Sequence, residues 1–253
     1  MRLPKGDAEQ ARTAAMGEFI RLANVGALHC REGEMAFIDR SDAGRKLAQA
    51  LAAYKNRQPV LLALLRGGVP VAAEVAAALD APLDLILVRK IGVPMQPELA
   101  MGAVANGGVP MVVRNEEVIR LTGIEEAEFE AVRDRELAEI ERRRRLYLDD
   151  RTPADVEGQV AIVIDDGVAT GATTRAALRA TRFRRPSKLV LAVPVAPTDT
   201  LVALREEADD VVCLEDHDSF GAIGFYYADF RQLSDQEVKD TLARFPARVR
   251  NQA

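Results

Sequence analysis

The feature that most constrains this chain is a series of short apolar runs separated by segments with helical periodicity. A continuous apolar run of four to eight residues is typical of a strand buried on both faces. Strands that alternate with helices predict an α/β fold with a doubly wound parallel sheet. The predicted strands are 59–65, 83–88, 159–164, 188–193 and 210–214. The predicted helices are 42–54, 69–79, 124–147, 171–183 and 198–207.

The predicted sheet indicates where a ligand would bind. Ligands of open α/β sheets lie at the carboxyl ends of the strands, which directs attention to the loops at 65–70, 89–98, 165–173 and 194–198. Residues 91–123 are rich in Gly and Pro and predict a long mobile loop, in which 100–105 and 109–114 are candidate hairpin strands. Ser41 or Asp42 is the expected cap of the helix at 42–54.

Composition excludes several classes of protein. The formal net charge of −5 argues against a general nucleic-acid binder, because such proteins need a basic surface. The two cysteines, Cys30 and Cys213, imply no disulfide framework, which favours a reducing cytoplasm. The N-terminus lacks the apolar core of a signal peptide, and no apolar run approaches the ~20 residues that span a bilayer.

The strand at 159–164 runs into a loop suited to a sugar phosphate. Asp165-Asp166 is followed by Gly167-Val-Ala-Thr-Gly-Ala-Thr173, which opens the next helix. Free N–H groups at a helix start bind anions, while two adjacent carboxylates can accept hydrogen bonds from neighbouring ribose hydroxyls. Neither a G-x-x-x-x-G-K-[ST] loop nor a G-x-G-x-x-G loop after a strand is present. An ordinary strand-to-helix turn capped by Asp and Thr is the simpler alternative.

The segment Val163-Ile-Asp-Asp-Gly-Val-Ala-Thr-Gly-Ala-Thr173 resembles the PRPP-binding signature of type I phosphoribosyltransferases. The resemblance covers roughly residues 37–230. It implies that Asp165 and Asp166 contact the ribose hydroxyls of PRPP. It also implies that the 5′-phosphate is bound by the loop residues Ala169, Thr170, Gly171, Ala172 and Thr173.

Two further motifs resemble parts of this family in the family's order. Leu65-Arg-Gly-Gly68 is similar to its pyrophosphate loop, so Arg66, Gly67 and Gly68 are expected PRPP contacts and Leu65–Arg66 is the expected cis peptide. Arg89-Lys90 resembles the start of its catalytic loop, to which Glu98 is a further candidate contributor. Taken alone, these segments also fit a plain Gly turn, a solvated strand end and a solvated loop acid.

The resemblance implies an enzyme that releases pyrophosphate from PRPP as a nitrogenous acceptor, expected to be a nucleobase, takes the 5-phosphoribosyl group. Mg²⁺ is the implied cofactor, held mainly by substrate oxygens, with Asp165 and Asp166 contributing indirectly. Members that act on 6-oxopurines carry an Asp where this chain has Ala169, which favours adenine-, orotate- or uracil-like acceptors. A cytoplasmic homodimer is also implied.

The expected organisation is an N-terminal extension over 1–36 and a phosphoribosyltransferase domain over 37–253. Residues 215–231 are the candidate hood, the cap that recognises the acceptor. Its aromatic side chains could stack on a flat base or simply pack in the core. They are Phe220, Phe225, Tyr226 and Tyr227.

Several alternatives remain open from sequence. The chain could be a PRPP-binding regulator that lacks turnover, or a phosphatase with Asp165 as its nucleophile. The run Glu141-Arg-Arg-Arg-Arg145 fits a solvated helix face or a phosphate or RNA contact. His29-Cys30 and Cys213-x-x-x-His217 match no strong zinc spacing, so metal binding there is disfavoured. The phrase Arg40-Ser-Asp-Ala-Gly-Arg45 is shared with a group of bacterial phosphoribosyltransferases of unassigned acceptor.

Overall fold

A computed structural model of the protein describes residues 36–106, 111–148 and 151–245. These residues belong to one compact unit, Met35–Ala253. All of the predicted N-terminal extension except residue 36 lies outside the described residues, as do His29 and Cys30. No helix among the residues described is both long enough and apolar enough to span a membrane.

The core is a five-stranded parallel sheet, which confirms the predicted fold class. Its strand order is β2-β1-β6-β7-β8. The strands are β1 (Val60–Leu64), β2 (Leu83–Ile86), β6 (Val160–Ile164), β7 (Lys188–Pro197) and β8 (Asp210–His217). All five predicted strands are therefore present, and β7 and β8 extend beyond their predicted ends.

Helices cover both faces of this sheet. The alternating side chains of β1 divide between two apolar clusters, with Leu61 and Ala63 on one face and Leu62 and Leu64 on the other. The first face packs against α1 (Arg40–Ala50), α2 (Gly68–Leu79), α4 (Glu126–Tyr147) and α7 (Asp235–Ala243). The second face packs against α5 (Ala172–Phe183) and α6 (Thr198–Leu204). Every residue of β1 and β6 is buried, which explains why the sequence shows these strands as unbroken apolar runs.

The region predicted to be a long mobile loop is mostly regular structure. It forms a three-stranded antiparallel sheet, β3-β4-β5, followed by α3 (Glu116–Thr122). Its strands are β3 (Val88–Val93), β4 (Gln96–Ala105) and β5 (Met111–Arg114). The candidate hairpin strands are thus confirmed, but the prediction of a loop at 91–99 and 115–123 was wrong. The predicted strand at 83–88 was also wrong at its end, because Val88 pairs with Ala105 in the second sheet.

Two smaller corrections concern helices. Asp39 caps α1, since its Oδ1 accepts from the amide of Asp42 at 2.7 Å, so neither Ser41 nor Asp42 is the cap. The predicted helix at 42–54 ends at Ala50 and continues as a 3₁₀ helix, Ala52–Arg57. Sequence periodicity did not predict α7, which begins with a capping box between Ser234 and Glu237.

The strand order creates a topological switch point between β1 and β6. From β1 the chain moves through α2 to β2 on one side, and it later returns to place β6 on the other side. The loops that leave the carboxyl ends of β1 and β6 therefore diverge from a common crevice. Such a crevice is the usual ligand site of a doubly wound sheet.

Candidate functional site

The loops that follow β1 and β6 are in direct contact at this crevice. A Cβ added to Gly67 would lie 1.8 Å from Oδ2 of Asp166, and one added to Gly68 would lie 2.6 Å from the carbonyl oxygen of Ile164. Both positions therefore require glycine, because any side chain would overlap the neighbouring loop. The Leu65–Arg66 peptide is cis, as predicted. Two of the three motifs identified in the sequence thus meet at one place.

The loop from Ala169 to Thr173 presents free backbone amides. In the part of the chain that the structure describes, none of these five amides donates a hydrogen bond. Gly171 has a φ of +73°, a left-handed conformation that favours glycine, and it lies at the N-cap of α5. Ala169, Thr170, Ala172 and Thr173 are exposed. The arrangement provides N–H groups and hydroxyls at the start of a 12-residue helix, where an anion is favoured.

The two acids at the end of β6 differ in environment. Asp166 is buried, and its Oδ2 accepts a 2.7 Å hydrogen bond from Nε of Arg40. Burial raises its pKa, an effect that the Arg40 charge opposes. Asp165 is half-buried, and burial together with the charge of Asp166 raises its pKa well above the usual range. The cation beside Asp166 therefore offsets part of the cost of holding two carboxylates side by side.

The remaining predicted cations lie on the second sheet. Arg89 and Lys90 are on β3, which with β4 packs against α5, the helix that follows the loop 169–173. Nε of Arg89 bonds Oε2 of Glu136 at 2.7 Å, and Nζ of Lys90 lies 3.0 Å from Oε2 of the fully exposed Glu98. Among the described residues, no hydrogen bond or ion pair joins either cation to the loops of the crevice. The third motif therefore lies near the crevice, but the Arg89 and Lys90 side chains are paired with glutamates and do not bond the loops of the crevice.

Among the described residues, the side chain of Arg66 forms no hydrogen bond or ion pair with the loops of the crevice. It reaches the start of α7, where an Nη atom donates to the carbonyl of Leu233 at 2.8 Å and lies 3.5 Å from Asp235. If Arg66 contacts PRPP as the resemblance implies, the contact is therefore expected from its backbone. Gly67 and Gly68 supply the rest of that loop.

The candidate hood is divided between core and surface. Tyr227 is buried, and its hydroxyl donates to the backbone carbonyl of Asp166 at 2.6 Å, so this ring packs in the core. Phe225 is 71% exposed. Tyr226 is stacked between Phe220 and His217, with ring centroids 5.1 and 4.5 Å away. Only part of the predicted aromatic set is therefore available to a ligand.

Ile223 is a second hood residue whose side chain contacts the loop that follows β6. A Cβ added to Gly167 would lie 2.6 Å from Cγ2 of Ile223, within the 3₁₀ helix Ile223–Tyr226. His217, at the end of β8, has a buried Nε2 for which the described residues provide no hydrogen-bond partner. An acceptor placed between the crevice and the hood would meet this apolar and aromatic surface.

Sequence reasoning missed two residues that hold site side chains. Arg40 begins the segment Arg40-Ser-Asp-Ala-Gly-Arg45, for which the sequence predicts no role in the site. Glu136 is buried in the apolar stripe of α4, between Val132 and Ile140. A carboxylate within an apolar stripe predicts a buried ion pair, because a buried acid needs a partner. Here the partner is Arg89.

The arginine run of α4 is satisfied within its own helix. Glu139 pairs with Arg142 and Arg143, and Glu141 pairs with Arg144 and Arg145. Hydrogen bonds from these arginines lower the pKa of each glutamate to about 2. The pairing favours the solvated-face interpretation of this run.

The acids of the site fit a metal ion that is held mainly by its substrate. The described residues contain no group of three or more His, Cys, Asp and Glu side chains able to enclose an ion. Asp165 and Asp166 are adjacent, and one oxygen of Asp166 is already bound to Arg40. Mg²⁺ commonly keeps several waters and takes substrate phosphate oxygens, so these few protein oxygens are compatible with it.

Comparison with known proteins agrees with this geometry. The family model described as a phosphoribosyl transferase domain matches residues 38–230. Proteins from two strains of Mycobacterium tuberculosis, CDC 1551 and H37Rv, are 46% identical over 208 residues and are provisionally named phosphoribosyl transferases. The match covers 82% of this chain and 46% of each relative, so the chain spans about half the length of these relatives.

A solved structure is also similar to this chain over most of its length. The crystal structure of TT1426 from Thermus thermophilus is 39% identical in sequence and superposes with a TM-score of 0.74. The match covers 84% of this chain and 100% of that chain. The described fold is therefore similar to one already observed in a bacterial protein.

Proposed function

This chain belongs to the phosphoribosyl transferase family, and we propose that it transfers the 5-phosphoribosyl group of PRPP to a nitrogenous acceptor, with a nucleobase as the expected class. The observation that carries the proposal is the contact of the two loops at the switch point. Asp166 lies against Gly67, so the acid proposed for the ribose and the loop proposed for the pyrophosphate share one crevice. The free amides of Ala169–Thr173 follow the same strand end as Asp165 and Asp166.

In the proposed reaction, PRPP binds across the crevice. Asp165 and Asp166 accept hydrogen bonds from the ribose hydroxyls, and the loop 169–173 donates to the 5′-phosphate. The acceptor nitrogen forms a bond to C1 of the ribose as the bond from C1 to the pyrophosphate oxygen breaks. The pyrophosphate leaves with the bonding electron pair, and the acceptor loses a proton.

Charge grows on the leaving pyrophosphate, so donors near it stabilise the transition state. Bound Mg²⁺ would neutralise part of this charge. Backbone groups of Arg66, Gly67 and Gly68 are the protein donors that we propose for this charge. Arg89 and Lys90 add positive charge after a movement of β3 and β4 that exchanges Glu136 and Glu98 for the substrate.

The hood is the proposed acceptor site. The stacked rings of Phe220, Tyr226 and His217, with Ile223 against Gly167, form an apolar wall suited to a flat heterocycle. Ala169 lacks a carboxylate, so this loop provides no acid for the base nitrogen of a 6-oxopurine. We therefore expect adenine-, orotate- or uracil-like acceptors, and we expect a cytoplasmic homodimer by likeness to the family.

Calorimetric titration with PRPP in the presence of Mg²⁺ tests the donor site. We expect binding by the wild type, loss of binding in the double variant Asp165→Asn, Asp166→Asn, and unchanged binding in Glu117→Gln, whose side chain is exposed on α3. Unchanged affinity in the Asp double variant would overturn the site assignment.

Release of pyrophosphate during incubation with PRPP, Mg²⁺ and a panel of nucleobases tests turnover. Release with one base identifies the acceptor. PRPP binding without release for any base would favour the alternative, a PRPP-binding regulator. Light scattering that shows a monomer would refute the dimer.

A further inference from the structure

Arg40, the first residue of α1, is almost completely covered. Its side chain is 11% exposed and makes three contacts. Nε donates to Oδ2 of Asp166 at 2.7 Å, an Nη atom donates to the carbonyl of Arg231 at 2.9 Å, and the guanidinium carbon lies 3.9 Å from the ring centre of Phe230. The planar guanidinium of Arg40 thus connects Asp166 to Arg231 at the end of the hood. Its N–H donors are fixed in one plane and can bond both partners at the same time.

The hood segment that holds Arg40 is itself fixed. The amide of Phe37 donates to the carbonyl of Tyr226, and the amides of Ala228 and Asp229 donate to the carbonyls of Phe37 and Ile38. The hydroxyl of Tyr227 donates to the backbone carbonyl of Asp166. Residues 226–231 are therefore connected to Asp166 in two ways. The Tyr227 hydroxyl bonds the backbone carbonyl of Asp166, and Arg40 bridges the Asp166 carboxylate to the carbonyl of Arg231.

Arg40 leaves Asp166 able to bind a ligand. A carboxylate has about four acceptor positions on its two oxygens, and Arg40 occupies one of them on Oδ2. The same oxygen is also the atom of the carboxylate that lies nearest Gly67, so its position is limited by backbone as well as by the ion pair. The removal of Arg40 would leave a buried carboxylate beside Asp165 with no cation, and such a group reorients or seeks water.

We propose that Arg40 is a positioning residue of the PRPP site, which fixes the Asp166 carboxylate for the ribose hydroxyls and couples it to hood residues 226–231. This inference rests on the proposed function, because it assigns Asp166 to the ribose. Arg40 acts through Asp166 and does not itself touch the substrate.

Chemical rescue provides a direct test. Arg40 lines a cleft of about 330 Å³ together with Pro70, Leu233 and Thr241. A truncation at Arg40 would open into this cleft, so millimolar guanidinium can reach the vacated position. We expect Arg40→Ala to weaken PRPP binding about tenfold, as for the loss of one hydrogen bond to a charged group, and guanidinium to restore most of that affinity.

A double variant distinguishes a role of Arg40 in positioning Asp166 from a general role of Arg40 in stabilising the fold. In Arg40→Ala, Asp166→Asn, PRPP affinity should be no weaker than in Asp166→Asn alone, and guanidinium should restore nothing, because residues in one network are not additive. Arg45→Ala is the matched control, since Arg45 lies on the same helix, is 56% exposed and should leave affinity unchanged.

The outcomes distinguish the two proposals. Unchanged affinity in Arg40→Ala, or equal rescue with and without Asp166, would overturn the role of Arg40 while wild-type binding upholds the proposed function. Failure of the wild type to bind PRPP would overturn both. If circular dichroism shows that Arg40→Ala is unfolded, Arg40→Lys replaces it. A lysine cannot hold Asp166 and the Arg231 carbonyl in a fork, so PRPP affinity should fall, and unchanged affinity would overturn the inference.

Discussion

A single added methyl group at Gly67 should damage the donor site more than it damages the fold. The Cβ of Gly67→Ala would lie 1.8 Å from Oδ2 of Asp166, whereas ordinary contact begins at 3.4 Å. The carboxylate or the loop must therefore move by about 1.6 Å. Hydrogen bonds tolerate only a few tenths of an ångström around 2.9 Å, so the 2.7 Å bond to Arg40 cannot keep its geometry if Asp166 yields.

Two magnitudes follow from this overlap. Overpacking typically costs about 1–3 kcal/mol, and each kcal/mol lowers the melting temperature by about 2–4 °C in a domain of this size. The loss of a hydrogen bond to a charged group costs about 1.5–3 kcal/mol, which corresponds to at least tenfold weaker PRPP binding. We therefore expect a folded variant whose melting temperature falls by about 2–12 °C and whose PRPP affinity falls about tenfold or more.

Calorimetric titration with PRPP and Mg²⁺, together with thermal unfolding, measures both quantities. Gly123→Ala is the matched control, because Gly123 has a φ of +66° with nothing near its added Cβ. That substitution should lower stability through backbone strain alone and leave PRPP affinity unchanged. The reasoning fails if Gly67→Ala lowers the melting temperature yet binds PRPP as tightly as the wild type.

Two other predictions concern groups outside the crevice. In the proposed reaction Arg89 must leave the buried Glu136 before it can reach the substrate, so Glu136→Gln should raise kcat for pyrophosphate release more than it changes KM for PRPP. Glu130→Gln, at a half-exposed position of the same helix, should change neither constant. Equal kinetics for both variants would contradict a role for Glu136. Cys213 is half-buried and burial raises the pKa of its thiol to about 12, so in a Cys30→Ser background a thiol reagent at pH 8 should label Cys213 much more slowly in the folded protein than after urea unfolds it. Rapid labelling of the folded protein would refute the burial argument.

The strands of the main sheet were predictable because each is buried on both faces. A strand of that kind reads as an unbroken apolar run, so β1 and β6 were visible without any knowledge of their partners. The second sheet was less visible, since β3 and β4 have exposed and partly exposed residues and carry Gly and Pro. Antiparallel pairing, rather than local composition, holds those segments in place.

The same division applies to the candidate site. Asp165, Asp166 and the loop 169–173 are contiguous, so their chemistry could be inferred from spacing alone. The sequence by itself determined the two acids, the glycines and the helix start that suit a sugar phosphate. Only the tertiary structure decided that Gly67 lies against Asp166, that Arg40 neutralises it, and that Glu136 holds Arg89. These contacts join residues up to 126 positions apart, and such pairs follow from strand order and helix packing, which no local pattern encodes.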